Sequence, residues 1–173
     1  FENFSDMQKF LQQEYMRSAG KFDPIDETSL ESSEVLEAAV KRDISYLNKL
    51  LRPQFCKDFV EAAQMIADSK RVYIGGSRGS AAIAENFYYN LNHIKPNVVS
   101  LTKDSGDWQN LMADCDESSL LLAVSMPKYS KRTTDMIRYA KTTGARIIFV
   151  TNSKIAPGTE FADCVLACEI GLD

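Results

Sequence analysis

The stretch RVYIGGSRGSAAIAENFYYNL, residues 71–91, passes from a short β-rich run into a helix through a glycine-rich junction. Val72, Tyr73 and Ile74 favour a strand, and Gly75 and Gly76 end it. From about Ser80 to Asn92 the spacing predicts a helix, with Ile83, Phe87 and Leu91 on one face. SLLLAVS at 119–125 repeats the pattern in purer form. It is nearly all apolar, without alternation, as expected of a strand covered on both faces of a parallel sheet. NVVSL at 97–101, RIIFVT at 146–151 and CVLACEI at 164–170 supply three more strands. A short helix around 108–112 and a longer one at about 130–143 lie between them, the second closed by Gly144 at C′. Strands alternating with helices mean βαβ units with right-handed crossovers. The expected fold is therefore α/β, an open, doubly wound, five-stranded parallel sheet with helices on both faces. Its ligand site should lie at the carboxyl ends of the strands, where the strand order reverses.

Upstream of this core the spacing predicts three further helices. Residues 55–67 place Phe59, Ala62, Ala63 and Ile66 inward. Residues 32–51 carry Leu36, Val40, Ile44, Leu47 and Leu51 as a stripe that ends before Pro53. Residues 1–19 form an N-terminal helical arm, joined by a linker at 20–31, GKFDPIDETSLE. The domain division follows as 1–30 and 31–173. The chain begins with Phe1 rather than Met and reads as a piece of a longer protein.

With 45% hydrophobic and 25% charged residues, the composition is that of an ordinary globular protein. No apolar run reaches the roughly 20 residues that span a bilayer, so no membrane partner is expected. A net charge of −4 argues against nucleic-acid binding by these residues themselves. Cys56, Cys115, Cys164 and Cys168 form no CxxC pair, and His93 is the only histidine. No metal and no cofactor is expected, and the thiols point to a reducing, cytoplasmic setting. Cys164 and Cys168 read as small core fillers, and His93 as a surface or capping residue near a helix end.

Two strand-to-helix turns hold the residues that can carry chemistry. The first is Gly75-Gly76-Ser77-Arg78-Gly79-Ser80. Glycines admit close backbone approach, a helix start presents free N–H groups and the positive dipole end, and Ser77, Ser80 and Arg78 add donors. Such a turn can hold an anion. It is equally consistent with a tight turn in which Ser80 is an ordinary N-cap. The second turn is Ser125-Met126-Pro127-Lys128-Tyr129-Ser130-Lys131-Arg132-Thr133. Its cations alone describe a solvated loop with Ser130 as N-cap. The pairing favours a site, because both hydroxyl-rich, cationic turns follow buried strands and should open at one sheet edge.

Three stretches carry a resemblance: RVYIGGSRGSAAIAENFYYNL, then LLLAVSMPKYSKRTTDMIRYAKTTGARIIFVTNS, then FADCVL. Together, over about residues 55–170, they resemble the SIS (sugar isomerase) domain, whose members bind or isomerise phosphosugars. The resemblance implies a flavodoxin-like strand order and a phosphosugar held by Gly76, Ser77, Arg78, Ser80, Ser125, Lys128, Ser130 and Thr133. The usual second loop of that family reads S-x-S-G-x-T. Ser125 takes the first serine and Ser130 the threonine, while Pro127 replaces the second serine and Lys128 the glycine. Arg78, Lys128 or Lys131 can compensate for the lost phosphate ligand. The SMPKYSKRT form resembles the loop of the RpiR family of bacterial transcription regulators. That resemblance implies that residues 1–30 are the remnant and linker of an upstream helix-turn-helix domain, which alone would bind DNA. It further implies a homodimer or higher homo-oligomer and a chain that continues beyond Asp173 into a final helix.

An isomerase needs an acid and a base near the sugar C1 and C2. Glu85, Asp104, Asp107, Glu160 and His93 are the candidates, and none sits in a motif that assigns it as a base. The expected function is therefore phosphosugar sensing without turnover, with no catalytic residues. The alternative is a sugar-phosphate isomerase or aminosugar-phosphate-processing enzyme. A flavin-binding or phosphoacceptor domain is disfavoured, since RVYIGG has no aspartate at its strand end.

Overall fold

The computed structural model describes residues 32–102 and 107–168. The predicted arm at 1–19, the linker at 20–31, Asp104 and the end of the last predicted strand lie outside them. Two compact units divide the chain between Leu51 and Arg52. In the first, helix α1 spans Ser32–Lys49. Along it Leu36, Val40, Ile44 and Leu47 recur at helical spacing on one side.

The second unit is the sheet domain, Arg52–Cys168. Helix α2, Pro53–Asp68, opens it. Pro53 begins this helix rather than merely ending α1, because a proline at the first helical position forfeits no hydrogen bond. Then follow β1 (Arg71–Gly76), α3 (Gly79–Ile94), β2 (Val98–Ser100) and the single-turn α4 (Trp108–Leu111). β3 (Ser119–Val124), α5 (Lys131–Thr142), β4 (Arg146–Thr151), a 3₁₀ turn at Thr159–Phe161 and β5 (Cys164–Ala167) complete the unit. All strand pairs are parallel, in the order β2-β1-β3-β4-β5. This is the expected five-stranded, doubly wound sheet. The order reverses at β1, so the crevice for a ligand opens between the carboxyl ends of β1 and β3.

Both faces are packed, which explains the unbroken apolar strands. On one face Tyr73, Leu121, Ile147 and Phe149 meet Met136, Ile137 and Ala140 of α5, with Trp108 and Met112. On the other, Ile74, Leu122 and Ile148 meet Ala62 and Met65 of α2 and Ala84 of α3. Two helix faces differ from expectation. In α2 the inward residues are Ala62 and Met65, with Phe55 and Ile66 beside them, whereas Phe59 is 57% exposed and Ala63 is also exposed. In α3 Phe87 and Leu91 do pack inward, but Ile83 is 41% exposed. His93 lies exposed in the last turn of α3, its Nδ1 2.6 Å from the Tyr89 carbonyl oxygen.

Cys164 is a core filler, as expected, and Cys168 is half-buried. Burial, reinforced by the Glu61 and Asp58 carboxylates, pushes the Cys164 thiol up to about 11. Burial also raises Cys168 and Cys115. Because the thiolate is the reactive form, exposed Cys56 is expected to react first with a thiol reagent at pH 8. The other three should react fast only after unfolding. Four equal rates in the native protein would contradict this burial pattern.

Candidate functional site

β1 and β3 lie side by side with Gly76 paired to Val124, so the turns that follow them leave the same sheet edge. Two contacts join the turns. The Met126 N–H donates to Ser80 Oγ at 3.2 Å, and the Thr133 hydroxyl donates to Ser77 Oγ in a long bond of 3.4 Å. Between them opens a cavity of about 400 Å³. From the first turn Ser77, Arg78 and Ser80 line it, and from the second Ser125, Lys128 and Ser130. Gly76 and Thr133, also expected at the ligand, are not in the lining. Gly76 instead lets α3 approach the sheet, since a Cβ there would meet the Ser80 carbonyl oxygen at 2.8 Å. Thr133 is buried and braces Ser77.

The cavity has a hydroxyl floor and a cationic rim. Ser77, Ser80 and Ser125 are buried, while Arg78 and Lys128 are exposed. Helices α3 and α5 both begin here, so their free N–H groups and positive dipole ends face the same space. Ser130 is the N-cap of α5 by position, yet its hydroxyl makes no capping bond. Ser80 is not the cap of α3, because that position belongs to Arg78. Both serines thus depart from the plain capping role.

Neither cation sits on relaxed backbone. Arg78 has φ 55° and ψ −131°, the conformation a glycine takes at the first central position of a type II′ turn. The Ser80 N–H closes that turn onto the Ser77 carbonyl at 3.2 Å. Lys128 has φ 69°, in the left-handed region, at the position where the resembling loops carry glycine. For a residue with a Cβ this costs about 1–2 kcal/mol. Lys128→Gly should therefore remain at least as stable as the parent, because the relief offsets the roughly 0.5–1 kcal/mol that glycine's unfolded-state freedom costs. Lys128→Val should lose more than about 1 kcal/mol in urea denaturation, since β-branched residues tolerate positive φ poorly. A Gly variant weaker than the Val variant would contradict the strain.

The carboxylate candidates lie elsewhere. Glu85 accepts hydrogen bonds from the Ser100 hydroxyl, at 2.6 Å, and from the Thr102 hydroxyl, which docks α3 on the end of β2. Asp107 accepts from the Asn110 side chain at 2.7 Å. The Gly158 N–H donates to Glu160 at 2.8 Å, in the turn before the 3₁₀ segment. Lys131 is exposed at the start of α5, and Arg132 reaches the Leu101 carbonyl at 3.3 Å. Sequence reasoning missed the apolar wall of Ile83, Met126 and Pro127. The Pro127 substitution in the loop pattern was a signal for that wall, and Ile83 gave none. Also missed was the Tyr129 hydroxyl, which donates to Asn152 at 2.6 Å and ties the second turn to the end of β4. Among the described residues no helix is long and apolar enough to cross a membrane. Nor, among them, does any group of three or more His, Cys, Asp or Glu side chains stand ready to hold a metal ion.

The SIS domain model matches residues 65–171 of this chain. No curated protein matches it in sequence. Among solved structures, the chain is similar to the sugar isomerase domain of an RpiR transcription factor from Sphaerobacter thermophilus. The identity is 23%, with 78% of this chain and 73% of that chain covered and a TM-score of 0.67. It is also similar to the Vibrio vulnificus NanR protein complexed with ManNAc-6P, at 15% identity, 79% and 52% coverage and a TM-score of 0.65. A hypothetical protein from Methanococcus jannaschii, for which 3-hexulose-6-phosphate isomerase function was inferred, aligns at 19% identity. There the coverage is 79% and 73% and the TM-score 0.65.

Proposed function

The chain belongs to the SIS domain family, and from that premise we propose that it binds a sugar phosphate between its β1–α3 and β3–α5 turns as the sensing domain of a transcription regulator. The observation that carries this reading is the convergence of two helix starts, four serine hydroxyls and two cations on one cavity. Helix starts, hydroxyl donors and cationic side chains are each suited to holding a phosphate. The ManNAc-6P bound by NanR is a ligand of the same chemical class.

Binding without turnover is supported by the lining. Its described residues are hydroxyl-bearing, cationic or apolar, plus Gly79, whereas isomerisation needs a proton acceptor beside C1 and C2. The relative with inferred isomerase function makes isomerisation the second reading. A panel of pentose, hexose, aminosugar and sugar-acid phosphates separates the two. The effector should raise Tm, and at 100-fold excess over Kd it adds roughly 2.7 kcal/mol of stability. NMR should find that same compound unchanged after prolonged incubation. Interconversion would establish the enzyme instead, and a panel without any stabilising member would remove the sugar-phosphate reading.

The regulator acts, in this reading, as a homodimer or higher homo-oligomer in the cytoplasm, with DNA contacted only by an upstream domain. The apolar side of α1 is the surface offered to a second copy. A two-fold operator needs paired subunits, and ligand binding that differs in affinity between two paired arrangements can shift their spacing. Sedimentation at micromolar concentration should exceed the 19.4 kDa of one chain. A clean monomer would remove the pairing. Charged residues at Leu47 and Leu51 should dissociate the oligomer. Unfolding instead would assign α1 to the monomer core.

A further inference from the structure

We propose that the ligand is a phosphorylated sugar acid, with one phosphate and one carboxylate, rather than a sugar phosphate of neutral skeleton. This rests on the phosphosugar reading above and narrows it. The argument is one of charge. A phosphate monoester carries about −1.5 to −2 at neutral pH. The starts of α3 and α5 together offer about +1 to an anion between them. The buried serines supply uncharged donors on the cavity floor. One full cation then completes the neutralisation of the phosphate, and the rim holds two, Arg78 on one wall and Lys128 on the other.

Among the described residues neither cation is paired with a carboxylate, and none of those lining the cavity is acidic. The carboxylate of α3, Glu85, is engaged by Ser100 and Thr102. The chain as a whole carries −4, so this excess of positive charge is local. It is also costly, because both cations occupy backbone conformations that glycine adopts freely. A loop that needed only hydroxyls and N–H groups would be better served by glycine at Lys128. About one positive charge is left over at the rim, above a phosphate on the floor, and that matches a single carboxylate. A second phosphate would overshoot it.

The test uses matched probes on the full chain. Titration calorimetry compares 6-phosphogluconate with glucitol 6-phosphate, and erythronate 4-phosphate with erythritol 4-phosphate. Within each pair only the carboxylate differs. The acid of at least one pair should bind about tenfold or more tightly than its partner, and more tightly than fructose 1,6-bisphosphate. In the Arg78→Gly/Lys128→Gly variant, whose backbone glycine accepts, that preference should fall to within about threefold. Equal binding of the pair members would overturn the inference while leaving the phosphosugar reading intact. So would a preference that survives in the double variant, or tighter binding of the bisphosphate. Should none of the phosphates bind, the phosphosugar reading falls and this inference with it.

Discussion

Gly76→Ala is expected to destabilise the sheet domain by about 1–3 kcal/mol and to weaken ligand binding at the same time. The new Cβ would lie 2.8 Å from the Ser80 carbonyl oxygen and 2.9 Å from Ala84 Cβ. One of those atoms is helix backbone and the other the first side-chain atom of a buried residue, so neither can swing aside. Helix α3 must retreat from β1 as a body, and it takes Ser80 with it. That breaks the register of the Ser80–Met126 bond, which joins the two turns. Gly75→Ala is the internal control. Its Cβ would also meet an atom at 2.9 Å, but that atom is Sδ of Met136. A thioether adapts by rotation, so the cost should be smaller. Urea denaturation of both variants decides the matter. Equal losses, or a Gly76→Ala protein with native stability and affinity, would show that close α3–β1 packing does not set the site.

The parallel core was legible because burial on both faces writes itself as unbroken apolar runs, and β1, β3 and β4 each lead into a segment with glycine or serine. The pairing of the two turns was legible as well, since parallel strands release their carboxyl-end turns at one sheet edge, and β1 and β3 are neighbours there. The faces of α2 were not. That helix carries Phe55, Phe59, Val60, Ala62, Ala63, Met65 and Ile66, so apolar residues occupy most of its circumference. Periodicity alone cannot then choose the phase, and the sheet selects Ala62 and Met65. Ile83 was placed on the buried side because it shares spacing with Phe87 and Leu91. At the first turns of α3, however, the helix overhangs the cavity, and the residue that would be core further along lines the pocket wall. The residue types of the candidate site were readable, but their division of labour was not. Nothing in the order Ser-Arg-Gly-Ser distinguishes a serine that clamps two turns together from one whose hydroxyl is left for a ligand.

That division yields a contrast among serines. Ser130→Ala is expected to weaken phosphosugar binding by about 10–100-fold, as losing a hydrogen bond to a charged group costs about 1.5–3 kcal/mol. Its stability should stay within about 0.5 kcal/mol of the parent. A capping serine would lose about 1 kcal/mol on replacement, but the Ser130 hydroxyl makes no capping bond, so that loss is not expected. Ser77→Ala should weaken binding to a similar degree and also cost about 1 kcal/mol of stability, because the buried Thr133 hydroxyl loses its acceptor. Ser80→Ala removes the acceptor of the Met126 N–H, so its effect on stability should equal or exceed that of Ser77→Ala. Calorimetric affinities for the effector, set beside denaturation midpoints, separate these outcomes. Parent-like affinity in both Ser77→Ala and Ser130→Ala would remove the two hydroxyls from the phosphate site. A destabilised Ser130→Ala protein would mean that the hydroxyl caps α5 after all, and its loss of affinity would then follow from a frayed helix start rather than from a missing ligand bond.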